Sequence, residues 1–157
     1  MPVRAIAAVA MLVLSAVPAW SQSAAPRYVN PPRLVRPNGY THVVVAADGR
    51  TAYIAGQVAF DSTGAVVGAG DFQAQAERVF VNLGVALASV GASFGDILKT
   101  TTYVTDPKHV ALLREIRTRH LDPARPPANT LLVVAGLARP ELLLEIEAVV
   151  ALPGKRT

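Results

Sequence analysis

The chain has 157 residues, 15 basic and 11 acidic side chains, a formal net charge of +4, 52% hydrophobic residues and no cysteine. That length suits one domain, and the missing thiols exclude disulfide staples, thiolate metal sites and cysteine catalysis. The sequence pI near 9.9 arises from basic groups spread along the chain. The one tight cluster, Arg114, Arg117 and Arg119, lacks an aromatic stacking platform, so no nucleic-acid partner is expected and a solvated helix face is the plainer reading.

Residues 1–21 read as a leader. Met1-Pro2-Val3-Arg4 is a short positive start, an apolar run extends from Ala5 to Val17, and Pro18-Ala19-Trp20-Ser21 offers a small-x-small cleavage signature. This is the layout of a secretory signal peptide. The apolar run, roughly 13 residues, falls short of the ~20 needed to cross a bilayer comfortably, which leaves an uncleaved anchor as the weaker alternative. The expectation is an exported protein, periplasmic or secreted, with no membrane attachment once the leader is removed. The remaining chain, about 136 residues, is long enough to bury a core without disulfides.

Residues 22–39 contain Pro26, Pro31, Pro32 and Pro37 among Ser, Ala and Asn, a composition that predicts an extended linker. The domain is expected over residues 40–153. Thr41 to Ala47 is rich in β-branched residues, Asp48-Gly49 is a hairpin turn signal, and Thr51 to Ala55 returns as a second strand. After an interruption at Gly56-Gln57, Val58 to Phe60 reads as a short continuation. Phe72, Ala76, Val79, Phe80, Leu83, Leu87 and Val90 recur at helical steps, with Asp71 to cap the start and Gly91 to end it. Gly84 inside that helix suggests close packing against a strand.

Ser93 and Asp96 frame a turn before a strand from Ile97 to Thr105. Asp106-Pro107 then opens a second helix whose apolar stripe is Val110, Leu113, Ile116 and His120 or Leu121. Residues 122–128 form a loop, and Asn129 to Ala135 and Leu142 to Leu152 are the last strands. Two helices are too few to cover both faces of such a sheet, so an α+β sandwich with a mixed six-stranded sheet and both helices on one side is predicted. The bare face, with segments as apolar as Leu131-Leu132-Val133-Val134, is an expected association surface. His42, His109 and His120 show no ligand spacing, and no metal is expected.

Four segments carry a family resemblance. Tyr53-Ile54-Ala55-Gly56-Gln57 resembles a hydrophobic-Ser-Gly-Gln signature at the end of the second strand. Asp96 to Asp106, Asp-Ile-Leu-Lys-Thr-Thr-Thr-Tyr-Val-Thr-Asp, resembles a strand of the pattern D-hydrophobic-hydrophobic-K-x-T-x-aromatic-hydrophobic-x-D. Arg125-Pro126-Pro127-Ala128 sits where an R-P-A-R loop precedes a strand, and Leu144-Glu145-Ile146-Glu147-Ala148 resembles a closing E-I-E-A. In this order, over roughly residues 39–152, they are similar to the YjgF/RidA family.

The resemblance implies a chorismate-mutase-like fold and a homotrimer whose sheet faces form a barrel, with a small-molecule ligand in each inter-subunit cleft. It also implies hydrolysis of reactive imines or enamines to keto compounds and ammonia, with no metal or organic cofactor. Glu145 matches the water-orienting glutamate. Tyr40 matches a tyrosine near the first strand, Gly56 a backbone contact, and Leu131 a residue whose main chain faces the cleft. Asn129 stands where the family has the arginine that anchors the substrate carboxylate. Asparagine donates hydrogen bonds but has no charge and no fork geometry. Ala55 replaces the signature serine. The alternative to an imine hydrolase is therefore a non-catalytic trimer that binds small metabolites. Glu145 and Glu147 are read as taking opposite faces of their strand.

Overall fold

The computed structural model describes residues 25–47 and 50–152. The expected leader, the first residues of the linker and the Asp48-Gly49 turn lie outside the described residues.

Six strands form one mixed sheet: β1 Arg27–Val29, β2 Val43–Val45, β3 Thr51–Gln57, β4 Ile97–Val104, β5 Ala128–Val133 and β6 Leu144–Ala151, in the spatial order β1-β2-β3-β6-β4-β5. The β4–β5 pair is parallel and the other pairs are antiparallel. Two α-helices, α1 Phe72–Ala88 and α2 Val110–Arg117, join the inward side chains of β2, β3, β4 and β6 in one core. This is the predicted α+β arrangement, with the helices on a single face.

Each element has a local cause. Asp71 Oδ1 accepts from the Ala74 amide at 3.1 Å and starts α1, while Gly91, at φ +74°, lets the chain turn away after it. Asp106 Oδ1 accepts from the Lys108 amide at 2.9 Å, and a 3-10 turn at Pro107–His109 leads into α2. Gly84 faces the ring of Phe94, which a Cβ would meet at an ordinary 3.4 Å. Its neighbour is thus the turn before β4 rather than a strand.

The sheet has the expected number of strands but a different membership. Val58 to Phe60, expected to be a strand, contributes only an isolated bridge between Phe60 and Val66. The sixth strand comes instead from the supposed linker, where Arg27–Val29 pairs with β2. Pairing with β3 leaves one edge of β2 open, and a short β-prone segment covers it.

Strand β6 decides the geometry of the site. Leu144, Ile146, Ala148 and Val150 are buried toward the helices. Glu145 and Glu147 therefore both point to the helix-free face, which corrects the expectation that they separate. Residues two apart on a strand share a face. The buried Gln75 of α1 holds the entry to β6: its Nε2 donates to the Glu141 carbonyl at 2.7 Å and the Gly68 carbonyl at 3.1 Å, and its Oε1 accepts from the Leu143 amide at 2.9 Å.

Candidate functional site

Strand β3 pairs with β6 in regular register as far as Ile54 opposite Ala148, then shifts before Gln57 opposite Ile146. Gly56 lies in this irregularity, and the Glu145 side chain rests on its bare Cα. A Cβ built on Gly56 would coincide with the Glu145 Oε1 region and lie 2.6 Å from Cδ. Glycine is needed here for space rather than for its backbone angles.

Tyr40 completes this side of the site. It is half exposed, and its hydroxyl is pushed above the ordinary phenol range by burial and then by the Glu145 charge. The loop that carries it is held by His42, which is buried. The His42 amide donates to Asn30 Oδ1 at 2.9 Å, and its ring Nε2 donates to the Val35 carbonyl at 2.8 Å. That assignment leaves Nδ1 to accept from Gln57 Nε2 at 3.5 Å, and the same amide donates to the Ala55 carbonyl at 3.0 Å. The Tyr40 ring meets His42 edge-on at 5.1 Å. Thus the Gln57 that follows Gly56 also organises the loop bearing Tyr40.

The Glu145 carboxyl is raised above the ordinary carboxylate range, first by burial and then by the neighbouring Glu147 charge. Tyr103 on β4 pairs with Glu145 across the strands, and its hydroxyl is also raised, by desolvation and then by Glu147 and Glu145. A half-buried carboxylate of raised proton affinity, beside two tyrosines and a second carboxylate, has the chemistry of a proton acceptor for a bound water.

Asn129 and Leu131 do not join this group within one protomer. Asn129 faces the helices, where its Oδ1 accepts from the hydroxyls of the buried Thr100 and Thr102 at 2.9 and 3.1 Å. Leu131, two residues on, faces the same way. Both line a cavity of about 300 Å³ between the sheet, α1 and α2, together with Arg114 and Arg117. Asn129 and Glu145 are expected in a cleft between subunits, and within one chain strand parity and the Thr100–Thr102 hydroxyls turn Asn129 to the face opposite Glu145. Strand β5 is, however, an edge strand.

The family model described as endoribonuclease L-PSP matches residues 33–152. The chain belongs to this YjgF/RidA family. A RutC family protein of Synechocystis is 34% identical over 118 residues, covering 74% of this chain and 89% of that protein. Protein DfrA of Myxococcus xanthus is 32% identical over 118 residues, covering 75% and 87%. Among solved structures, RidA from an Antarctic Psychrobacter superposes with a TM-score of 0.73 at 29% identity, covering 80% of this chain and 98% of that one. E. coli TdcF with bound serine gives a TM-score of 0.70 at 27% identity, with coverage of 80% and 98%.

Against the family pattern, three of the five anticipated residues, Tyr40, Gly56 and Glu145, come together. Sequence reasoning missed His42 and Tyr103. The first lies two residues after Tyr40, and the second lies within the quoted β4 motif, so each was within reach of a strand-parity count.

Proposed function

We propose that this Rid family protein hydrolyses reactive imines, or enamines after their tautomerisation, to keto compounds and ammonia. Glu145 orients the attacking water and takes its proton. The oxygen then bonds to the C=N carbon, the nitrogen takes up a proton, and collapse of the carbinolamine breaks the C–N bond and expels ammonia. No electrons change hands, and water is the only co-reactant.

The observation that carries this reading is the seat of Glu145. Its carboxylate rests on Gly56, beside Tyr40, in surroundings that raise its proton affinity. A substrate pocket needs more than this face of one protomer supplies. We place it between copies in a homotrimer, where the edge strand β5 of one chain approaches the Glu145 face of the next. The bound serine of the TdcF structure supports a small amino-acid-derived ligand in that protein and, by analogy, an imine of similar class here. The leader read over residues 1–21 supports a reaction outside the cytoplasm, on imines released by an oxidase in that compartment. Among the described residues no helix is long and apolar enough to cross a membrane.

A non-catalytic metabolite-binding trimer is the second reading, favoured by the uncharged Asn129 in the anchor position. An amino-acid oxidase generating imines in situ separates the two. Keto-acid release should exceed the spontaneous rate with the wild type and fall to it with Glu145→Ala. Equal rates for both, and for Asn129→Arg, would reject hydrolysis of those imines.

A further inference from the structure

We propose that His42 is a positioning residue of the Glu145 site and that its two ring nitrogens divide the work. Nε2 holds the Tyr40 loop in place to meet a substrate, and Nδ1 holds the strand end that carries Gly56 and so seats Glu145. The kinetic half of this proposal rests on the hydrolase reading, while the geometric half stands without it.

The backbone makes His42 a junction before its side chain acts. Its amide donates to Asn30 Oδ1 at 2.9 Å, and its carbonyl accepts from the Ala55 amide at 2.9 Å. The residue is 2% exposed, and polar ring atoms at such depth need partners inside the protein. Each nitrogen finds one, and the two partners lie on different segments: Val35 in the loop before Tyr40, and Gln57 directly after Gly56. One imidazole therefore spans the two segments that meet Glu145. Together with Val35, Tyr40, Gly56 and Gln57 it surrounds a void of only about 10 Å³. That is at the margin of the space one water needs, so the ring itself, rather than solvent, transmits position between them.

Hydrogen-bond polarity assigns the two arms. A carbonyl only accepts, so Val35 requires the hydrogen on Nε2. The Ala55 carbonyl likewise fixes the Gln57 amide, whose Nε2 donates to it at 3.0 Å and meets His42 Nδ1 at 3.5 Å. The buried Gln57 thus ties the residue before Gly56 to the His42 ring. Because the Glu145 carboxylate rests on Gly56, a shift of this turn moves the carboxylate. Tyr40 is reached by the other arm. The Val35 tie sets the loop, and the half-exposed Tyr40 ring then meets the His42 ring edge-on at 5.1 Å.

The test measures keto-acid release by the full chain on imines supplied by an amino-acid oxidase. Glutamine places its amide nitrogen as many bonds from Cα as histidine Nε2, and asparagine places its amide oxygen as many as Nδ1, so each substitution keeps one arm. His42→Gln should lower kcat about 10-fold, the effect of one buried hydrogen bond, with KM near the wild-type value. His42→Asn should raise KM by a similar factor with kcat retained, and His42→Phe, which keeps a ring beside Tyr40, should show both defects. Equal effects of His42→Gln and His42→Asn on both constants, or wild-type kinetics in His42→Phe, would overturn the proposal. Two spectroscopic readouts do not depend on hydrolysis. Long-range proton–nitrogen correlations of the wild type, which need no variant to fold, should show the Nε2–H tautomer, and an Nδ1–H tautomer would sink the assignment of the arms. The Gly56 amide resonance should shift in His42→Gln and stay in place in His42→Asn; the reverse would sink it as well. Wild-type rates in Glu145→Ala would reject the hydrolase reading instead, leaving the tautomer and the Gly56 shift to decide whether His42 sets the seat.

Discussion

Gly56 and Glu145 share one volume: the hydrogen of the glycine leaves the space that the Glu145 carboxylate fills. Gly56→Ala should therefore expel the carboxylate while leaving β3 formed. A displacement on the order of 1 Å costs about 100-fold in a positioned reaction, so keto-acid release should fall by about that factor. Overpacking should lower unfolding free energy by ~1–3 kcal/mol. Full activity in a folded Gly56→Ala protein would show that the seat of Glu145 has no part in the reaction.

The raised proton affinity of Glu145 predicts a pH dependence with a definite sign. A general base must be ionised, so the acid limb of the kcat/KM profile should lie above the ordinary carboxylate range. Glu147→Gln removes the smaller cause of the shift and should move that limb to lower pH, with burial holding it above the usual value. For stability, the folded state binds the Glu145 proton at pH values where the unfolded chain has already released it. Stability from this group is then full below the unfolded pKa and is lost as pH rises through the raised folded value. Glu145→Gln should flatten that decline. Identical acid limbs in wild type and Glu147→Gln would detach the profile from Glu145.

Asn129 has a structural duty whatever it binds. Asn129→Ala takes the acceptor from two buried threonine hydroxyls, and an unsatisfied buried donor costs about 1–3 kcal/mol. Urea unfolding should show a loss within that range. Asn129→Asp keeps an acceptor for both hydroxyls and should unfold near the wild-type midpoint. A stable Asn129→Ala protein would mean that water satisfies both hydroxyls.

The sequence made α1 legible because Phe72, Val79, Leu83 and Leu87 repeat at the helical period and Asp71 caps them, all within one local window. It misled over the edge of the sheet: prolines around Tyr28 and Val29 suggested an unpaired linker, whereas the open edge of β2 recruits them. Tertiary demand overrode local composition there. The pairing of Gly56 with Glu145 depends on a register shift between strands distant in sequence, which no local pattern encodes. The pocket at Arg114 and Arg117 was hidden for the same reason. A helix face reads as solvated until the elements beneath it are known to leave a cavity.

The helix-free face bears on whether any of this chemistry is assembled. Tyr53 is 54% exposed and Leu132 40% exposed. Tyr53 also lines a groove of about 310 Å³ with Val44 and Val149, edged by Lys99 and Glu147. Such an apolar sheet face is costly to leave in water, and closed symmetry would bury it around an axis. We expect a solution mass of three chains for the protein. Tyr53→Glu should place a charge in the buried face, yield monomers with an unchanged far-ultraviolet spectrum, and remove hydrolysis together with assembly. Tyr53→Phe should change neither. A wild-type mass of one chain at micromolar concentration would leave Glu145 facing open solvent, with no neighbouring β5 to complete its cleft.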